Sequence, residues 1–207
     1  MSRKKLLATT FGGLLVAASL AGCAETGTEP TTAAPGTPAA TSSTATDSEV
    51  SEAHNDADTA FAQMMIVHHE GALEMAELAI DRAEREDVVA LAERIAQAQG
   101  PEIEEMTAWL ETWGEDVEPM DHGSMDMGGM EMNGMSQDEM MTHLDGLSGS
   151  EFDTAFLEGM IAHHEGAVEM AEAELADGEN PQALALAEKI IADQEAEIAE
   201  MQDMLAN

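Results

Sequence analysis

The chain has 207 residues, with 43 Asp and Glu against 7 Lys and Arg and a formal net charge of −36. That charge excludes nucleic acid and anionic lipid headgroups as partners, because phosphate contacts need clustered Lys and Arg, and the single Cys excludes a disulfide framework or a multi-Cys zinc site. An apolar fraction of 44% is enough for a core in one domain or two very small ones, yet it is built oddly: 17 Met stand against 4 Phe, 2 Trp and no Tyr.

Arg3, Lys4 and Lys5 followed by the small apolar run Leu6–Leu20 read as a secretory signal, too short to span a membrane comfortably. Leu20, Ala21, Gly22 and Cys23 resemble a bacterial lipobox, so residues 1–22 are expected to be removed and Cys23 to carry a lipid. Residues 23–54 then form a Thr-, Ala-, Ser- and Pro-rich tether. Its composition cannot pack, and it would reach roughly 30 Å as a random coil. The folded part, 55–207, is thereby placed outside the cytoplasm against a membrane.

That folded part repeats. The segment Asp58–Glu77 matches Asp153–Glu172 at an offset of 95 residues without a gap, and the same offset aligns Leu91–Ile95 with Leu186–Ile190. A repeat this long implies duplication of a two-helix unit. Helices are predicted over roughly 56–84, 86–113, 151–177 and 181–206. Asn55 with Asp58, and Ser150 with Asp153, have the spacing of N-caps, and Asn180 with Pro181 opens the last helix. Gly114 is a stop, and Gly100 with Pro101 predicts a kink in the second helix. Phe61, Met65, His68, His69, Ala72, Met75, Ala76 and Ala79 share one helical face, with Glu70, Glu74, Glu77 and Asp81 opposite. The expected fold is all-α: a four-helix bundle of two hairpins (55–113 and 151–207) joined by a Met-rich crossover over 114–150. One long crossover is the ferritin-like arrangement; an up-down bundle with a loose excursion is equally allowed.

Met65, His68 and His69 stand at i, i+3 and i+4, so their side chains can converge, and Met160, His163 and His164 repeat them. For a single inward Met, core filling is the better explanation; two adjacent inward His, duplicated, are harder to explain by packing. Di-iron bundle sites need Glu-x-x-His, but the residue three before His68 is Met65 and three before His163 is Met160. Thioether with imidazole suits Cu(I), and Ag(I) by similarity. Gln99, Glu102, Gln194 and Glu197 lie on or beside the inward stripe of the second helices, where they can hold histidine N–H groups or simply make polar contacts between helices.

The crossover carries eight more Met in 22 residues (120, 125, 127, 130, 132, 135, 140 and 141), flanked by His122 and His143 and without helical or strand period. It reads as a linker that absorbs oxidants or, the favoured reading, as a Cu(I) trap that uses His122, Met125, Met127, Met130, Met132 and Met135. A thioether suits an oxidising compartment, where thiols cross-link.

The Phe-x-x-x-Met-x-x-His-His core at Phe61–His69 and Phe156–His164, with the downstream Gln99, Glu102, Ile103 and Met106 and their counterparts Gln194, Glu197, Ile198 and Met201, resembles the domain-of-unknown-function 305 family. The resemblance covers about 55–113 and 151–206, read as two copies. It implies a ferritin-like fold, kinship with periplasmic copper-resistance proteins that bind through Met and His, and a ligand set of Met65, His68, His69, Met75 and Met106 with Met160, His163, His164, Met170 and Met201. Met64 is less secure, because Gly159 stands at its place in the second repeat. The leading functional expectation is a lipid-anchored binder that sequesters or transfers Cu(I) and Ag(I). Its partners are the membrane through Cys23, soft metal ions, and a copper exporter or oxidase. The alternatives are a di-iron or copper oxidase supported by Glu102 and Glu197, and a structural bundle with no metal.

Overall fold

Helix ends fall where the backbone finds substitutes for its missing intrahelical bonds. In the computed structural model, which describes residues 50–119, 132 and 134–207, α1 (Asp56–Arg82) starts in a full capping box. The Asn55 side chain accepts from the N–H groups of Ala57 and Asp58, and the Asp58 carboxylate accepts from Asn55 N–H at 2.7 Å. After a three-residue link, α2 (Glu86–Trp113) runs unbroken through Pro101 and stops at Gly114, whose φ of 75° is cheap only for glycine. The expected kink is therefore not a break: proline removes one N–H, and the buried stripe on both sides of it holds the helix together.

The crossover departs most from expectation. It contains a further helix, α3 (Gln137–Asp145), entered through a Ser136–Glu139 capping box, so the described residues hold five helices rather than four. Ahead of it Met132 and Met135 exchange backbone hydrogen bonds of 2.9 and 3.0 Å around Gly134. The last two long helices are α4 (Ser150–Asp177) and α5 (Pro181–Ala206). Asn180 and Pro181 open α5 as predicted, but Gly149, not Ser150, precedes α4, and no side chain caps it. Residues 50–54, read as tether, lie on the bundle: the Trp113 indole N–H donates to the Ser51 carbonyl at 2.8 Å, and His54 stacks on Trp113. No helix among the described residues is long and apolar enough to cross a membrane. Cys23, Met120, His122, Met125, Met127 and Met130 lie outside the described residues.

The hairpins α1–α2 and α4–α5 pack through α1 against α4. His68 touches His163, its own counterpart at the 95-residue offset, with ring centroids 3.7 Å apart. A residue that meets its own counterpart lies on a local twofold axis, so the repeat is folded as a pseudo-symmetric pair. The ends obey the same symmetry. Asp58, at the start of α1, accepts from the N–H groups of Glu179 and Asn180 in the link between α4 and α5. Asp153, in the first turn of α4, accepts from those of Glu84 and Arg85, each at 3.0 Å, in the link between α1 and α2. Each hairpin thus caps the other's turn, and Asp58 in addition closes its own capping box. Burial works against charge on Asp58, but the N–H of Asn180, a hydrogen bond from the Glu174 carboxyl, and the N–H groups of Asn55 and Glu179 outweigh it and hold this carboxyl below its ordinary range.

Two apolar layers enclose the axis. One packs Phe61, Met65, Met106, Trp109, Leu186 and Ile190; the other packs Met75, Leu91, Ile95, Phe156, Met160 and Met201. Between them lies a polar belt.

Candidate metal centre

The belt holds His68, His69, His163 and His164, at most 3% exposed, with Gln99, Glu102 and Gln194 from the flanking helices. Its chemistry follows from the carboxylates. His69 Nε2 lies 2.8 Å from Glu102 Oε2, and His164 Nε2 lies 2.7 Å from Glu197 Oε2. An ionised carboxylate only accepts, so Nε2 carries the proton and, in the neutral ring, Nδ1 keeps its lone pair. Burial, outweighing Glu102, pushes the His69 pKa down, and burial together with His68 pushes that of His163 well down, so both rings are neutral at pH 7. Although burial works the other way, hydrogen bonds from His69 and from Lys189, whose Nζ is 2.7 Å from Oε1, hold Glu102 below the ordinary carboxylate range.

Nδ1 of His69, His163 and His164 is buried without a hydrogen-bond partner, as are both amide atoms of Gln99 and Oε1 of Gln194. Each such atom costs about 1–3 kcal/mol, and apolar residues would fill the space more stably. A belt kept at that cost fits a ligand that takes lone pairs. Of the four side chains expected to hold histidine N–H groups, Glu102 and Glu197 do so; Gln99 and Gln194 make no such bond to a histidine.

The expected thioethers separate into classes. Met65, Met75, Met106, Met160 and Met201 are fully buried in the layers that border the belt. Met170 is only half-buried and lines an outer cleft rather than facing the histidines. Met132 is buried and Met135 half-buried where the crossover folds back. Among the described residues no three His, Cys, Asp or Glu side chains converge, so any ion held here relies on thioethers beside the imidazoles.

A cleft of about 230 Å³ leads from the surface to His68 and His163; Glu70, Glu74, Met132 and Asp138 are among its walls. Sequence reasoning missed how this mouth is built. Helix α3 seats on two glycines: Gln137 Nε2 donates to the Gly71 carbonyl at 3.0 Å, and a Cβ on Gly159 would meet Met140 Sδ at 2.9 Å and Met75 Cε at 3.3 Å. Met140, counted only as part of an aperiodic run, is therefore a core residue of α3 that places a second thioether beside Met75. The Ser136-x-x-Glu139 capping box was the signal that could have found it.

Comparison with known proteins places this geometry. The sequence profile of DUF305, a domain of unknown function, matches residues 58–205. It does so as one span across both hairpins, whereas the repeat suggested one copy in each. No curated protein matches the chain. A DUF305 protein from Streptomyces coelicolor, described as a candidate secreted protein, is 35% identical over 72% of this chain and 91% of its own, with a TM-score of 0.66. A DUF305 fragment from Deinococcus radiodurans is 31% identical over 73% and 97%, with a TM-score of 0.64. CopM in its Cu(I)-bound form is 32% identical over 72% and 96%, with a TM-score of 0.60, and CopM structures with Cu(II) and Ag are similarly related. With one family match across both hairpins and the same helical bundle in these relatives, the chain belongs to the DUF305 family.

Proposed function

We propose that this protein binds Cu(I), with Ag(I) as its chemical equivalent, in the histidine belt, and that it acts outside the cytoplasm on a lipid anchor at Cys23 to sequester or transfer copper. The observation that carries the reading is the pair of carboxylate–histidine couples, Glu102–His69 and Glu197–His164, which turn unpartnered Nδ1 lone pairs into a dry interior. A metal-bound histidine usually donates its other N–H to a carboxylate, which fixes the ring and raises its basicity. The buried thioethers of Met65, Met106, Met160 and Met201 border the belt, and sulfur with imidazole selects a soft monovalent ion over Mg, Mn or Fe. CopM, trapped with Cu(I), Cu(II) and Ag, supports the same chemistry. The Met-rich crossover would gather the ion and pass it down the cleft between Met132 and His68, whose acidic walls attract cations; a copper exporter or oxidase is the natural recipient.

The test is a Cu(I) competition titration of the reduced protein, with and without residues 120–131, and with His69→Ala plus His164→Ala. Several Cu(I) per chain are expected. The crossover deletion should lose some of them, and the double variant should lose the belt ion alone. If the reduced protein takes up no Cu(I) at micromolar concentration, the reading is wrong.

A further inference from the structure

The two halves of the repeat differ most at one place. At the 95-residue offset, Met64 corresponds to Gly159, Met170 to Met75, and Glu174 to Ala79. In the half containing Met75, the pocket is filled: Met140 of α3 occupies the space over Gly159 beside Met75, and Phe152 packs under the Arg82 guanidinium, 5.4 Å from the ring centroid. In the other half Phe152 is replaced by Ala57, Leu78 by Ala173 and Arg82 by Asp177. The result is an open cleft of about 290 Å³ whose walls include Met64, Met170 and Glu174. No residue lining it also lines the cleft that reaches His68 and His163.

Glu174 is 2% exposed, and its carboxyl pairs with that of Asp58 rather than with any N–H group. Its carboxyl lies so close over Gly178 that a Cβ at that position would collide with it. The first half solves the same turn with the pair Ala79 and Ala83. An acid and the glycine that makes room for it thus occur together, in the half where two thioethers from different helices face a solvent-connected cleft. Thioethers are neutral, so an ion held by them in an apolar wall needs a counter-charge close by.

We propose that Met64, Met170 and Glu174 form a second soft-cation site, separate from the histidine belt, which takes one Cu(I) or Ag(I). Met64 and Met170 supply sulfur, and Glu174 releases its proton to solvent as the ion enters and so supplies the balancing carboxylate.

The experiment is an Ag(I) titration of the full chain carrying ¹³C-methyl methionine, with the Met64 and Met170 methyl resonances assigned by substitution. Both are expected to shift together, within the first few equivalents. Met64→Leu should abolish the Met170 shift and lower the Ag(I) count by one, and Met170→Leu should do the same to Met64. Glu174→Gln should weaken this site by about tenfold or more while leaving the belt ions in place; the folded state of each variant is checked by its methyl spectrum without Ag(I). If methyl groups beside the belt shift while Met64 and Met170 do not, this site is overturned and the belt reading stands. If Met64 and Met170 shift and the belt methyls do not, this site stands and the belt reading falls.

Discussion

Glu174 also makes the fold sensitive to alkali, and replacing it with Gln should remove that sensitivity. Burial, and then the neighbouring Asp58 carboxylate, push the Glu174 pKa from an ordinary 4.5 up to about 8. Between those values the unfolded chain has given up a proton that the folded chain keeps. The stability from this group is therefore complete below pH 4.5, falls as pH rises, and is gone above about pH 8. At 1.36 kcal/mol per pH unit the span corresponds to a ceiling of about 5 kcal/mol. Because the adjoining cleft admits solvent, about 2 kcal/mol is the expected loss. Asp58 works in the opposite sense. Its lowered pKa contributes stability that disappears as pH falls through the acid range. Urea denaturation of the metal-free protein at pH 5, 6.5 and 8 checks this. The wild-type midpoint minus that of Glu174→Gln should fall steadily from pH 5 to 8; the gain up to pH 6.5 from the buried neutral His69 and His163 is common to both proteins and cancels in the difference. A difference that stays constant from pH 5 to 8 refutes the reasoning.

Other outcomes follow from the same contacts. Gln99→Met, which removes two unpartnered buried amide atoms at nearly constant volume, should stabilise the metal-free protein by about 1–3 kcal/mol in the same urea assay. Glu102→Ala leaves the His69 N–H without its acceptor and Lys189 without its closest buried partner; it should weaken Cu(I) binding by about 10–100-fold in a competition titration. Gly159→Ala places a methyl group 2.9 Å from Met140 Sδ. It should cost about 1–3 kcal/mol and speed amide exchange in α3 more than in α1 or α4. Asp153→Ala removes the acceptor for Glu84 and Arg85 N–H and should lower stability by about 1–2 kcal/mol, measurable as a lower melting temperature.

Much of the bundle was legible because its signals are local. The stripe from Phe61 to Ala79 is buried as its period requires. The boundaries at Asn55, Gly114 and Asn180 fall where side-chain and glycine chemistry places them. Helix α3 was missed because methionine density drew attention from the capping box in front of it. Met170 matches Met75 in sequence but not in surroundings: Met75 lies under Met140 of α3, whereas Met170 lines the outer cleft. The Ser150–Asp153 cap failed because Gly149 takes the N-cap position and has no side chain to accept from the first turn.

The sequence by itself determined the helical repeat, the inward His pairs, the absence of Glu-x-x-His and the acidic surface, since each depends on spacing along one helix or on composition. Tertiary structure alone decided that His68 meets His163 on a pseudo-twofold axis and that Glu102 and Glu197, rather than Gln99 and Gln194, orient the outer histidines. It also decided that the methionines divide into core, crossover and cleft. Those outcomes depend on which helix lies opposite which and on which half α3 packs against.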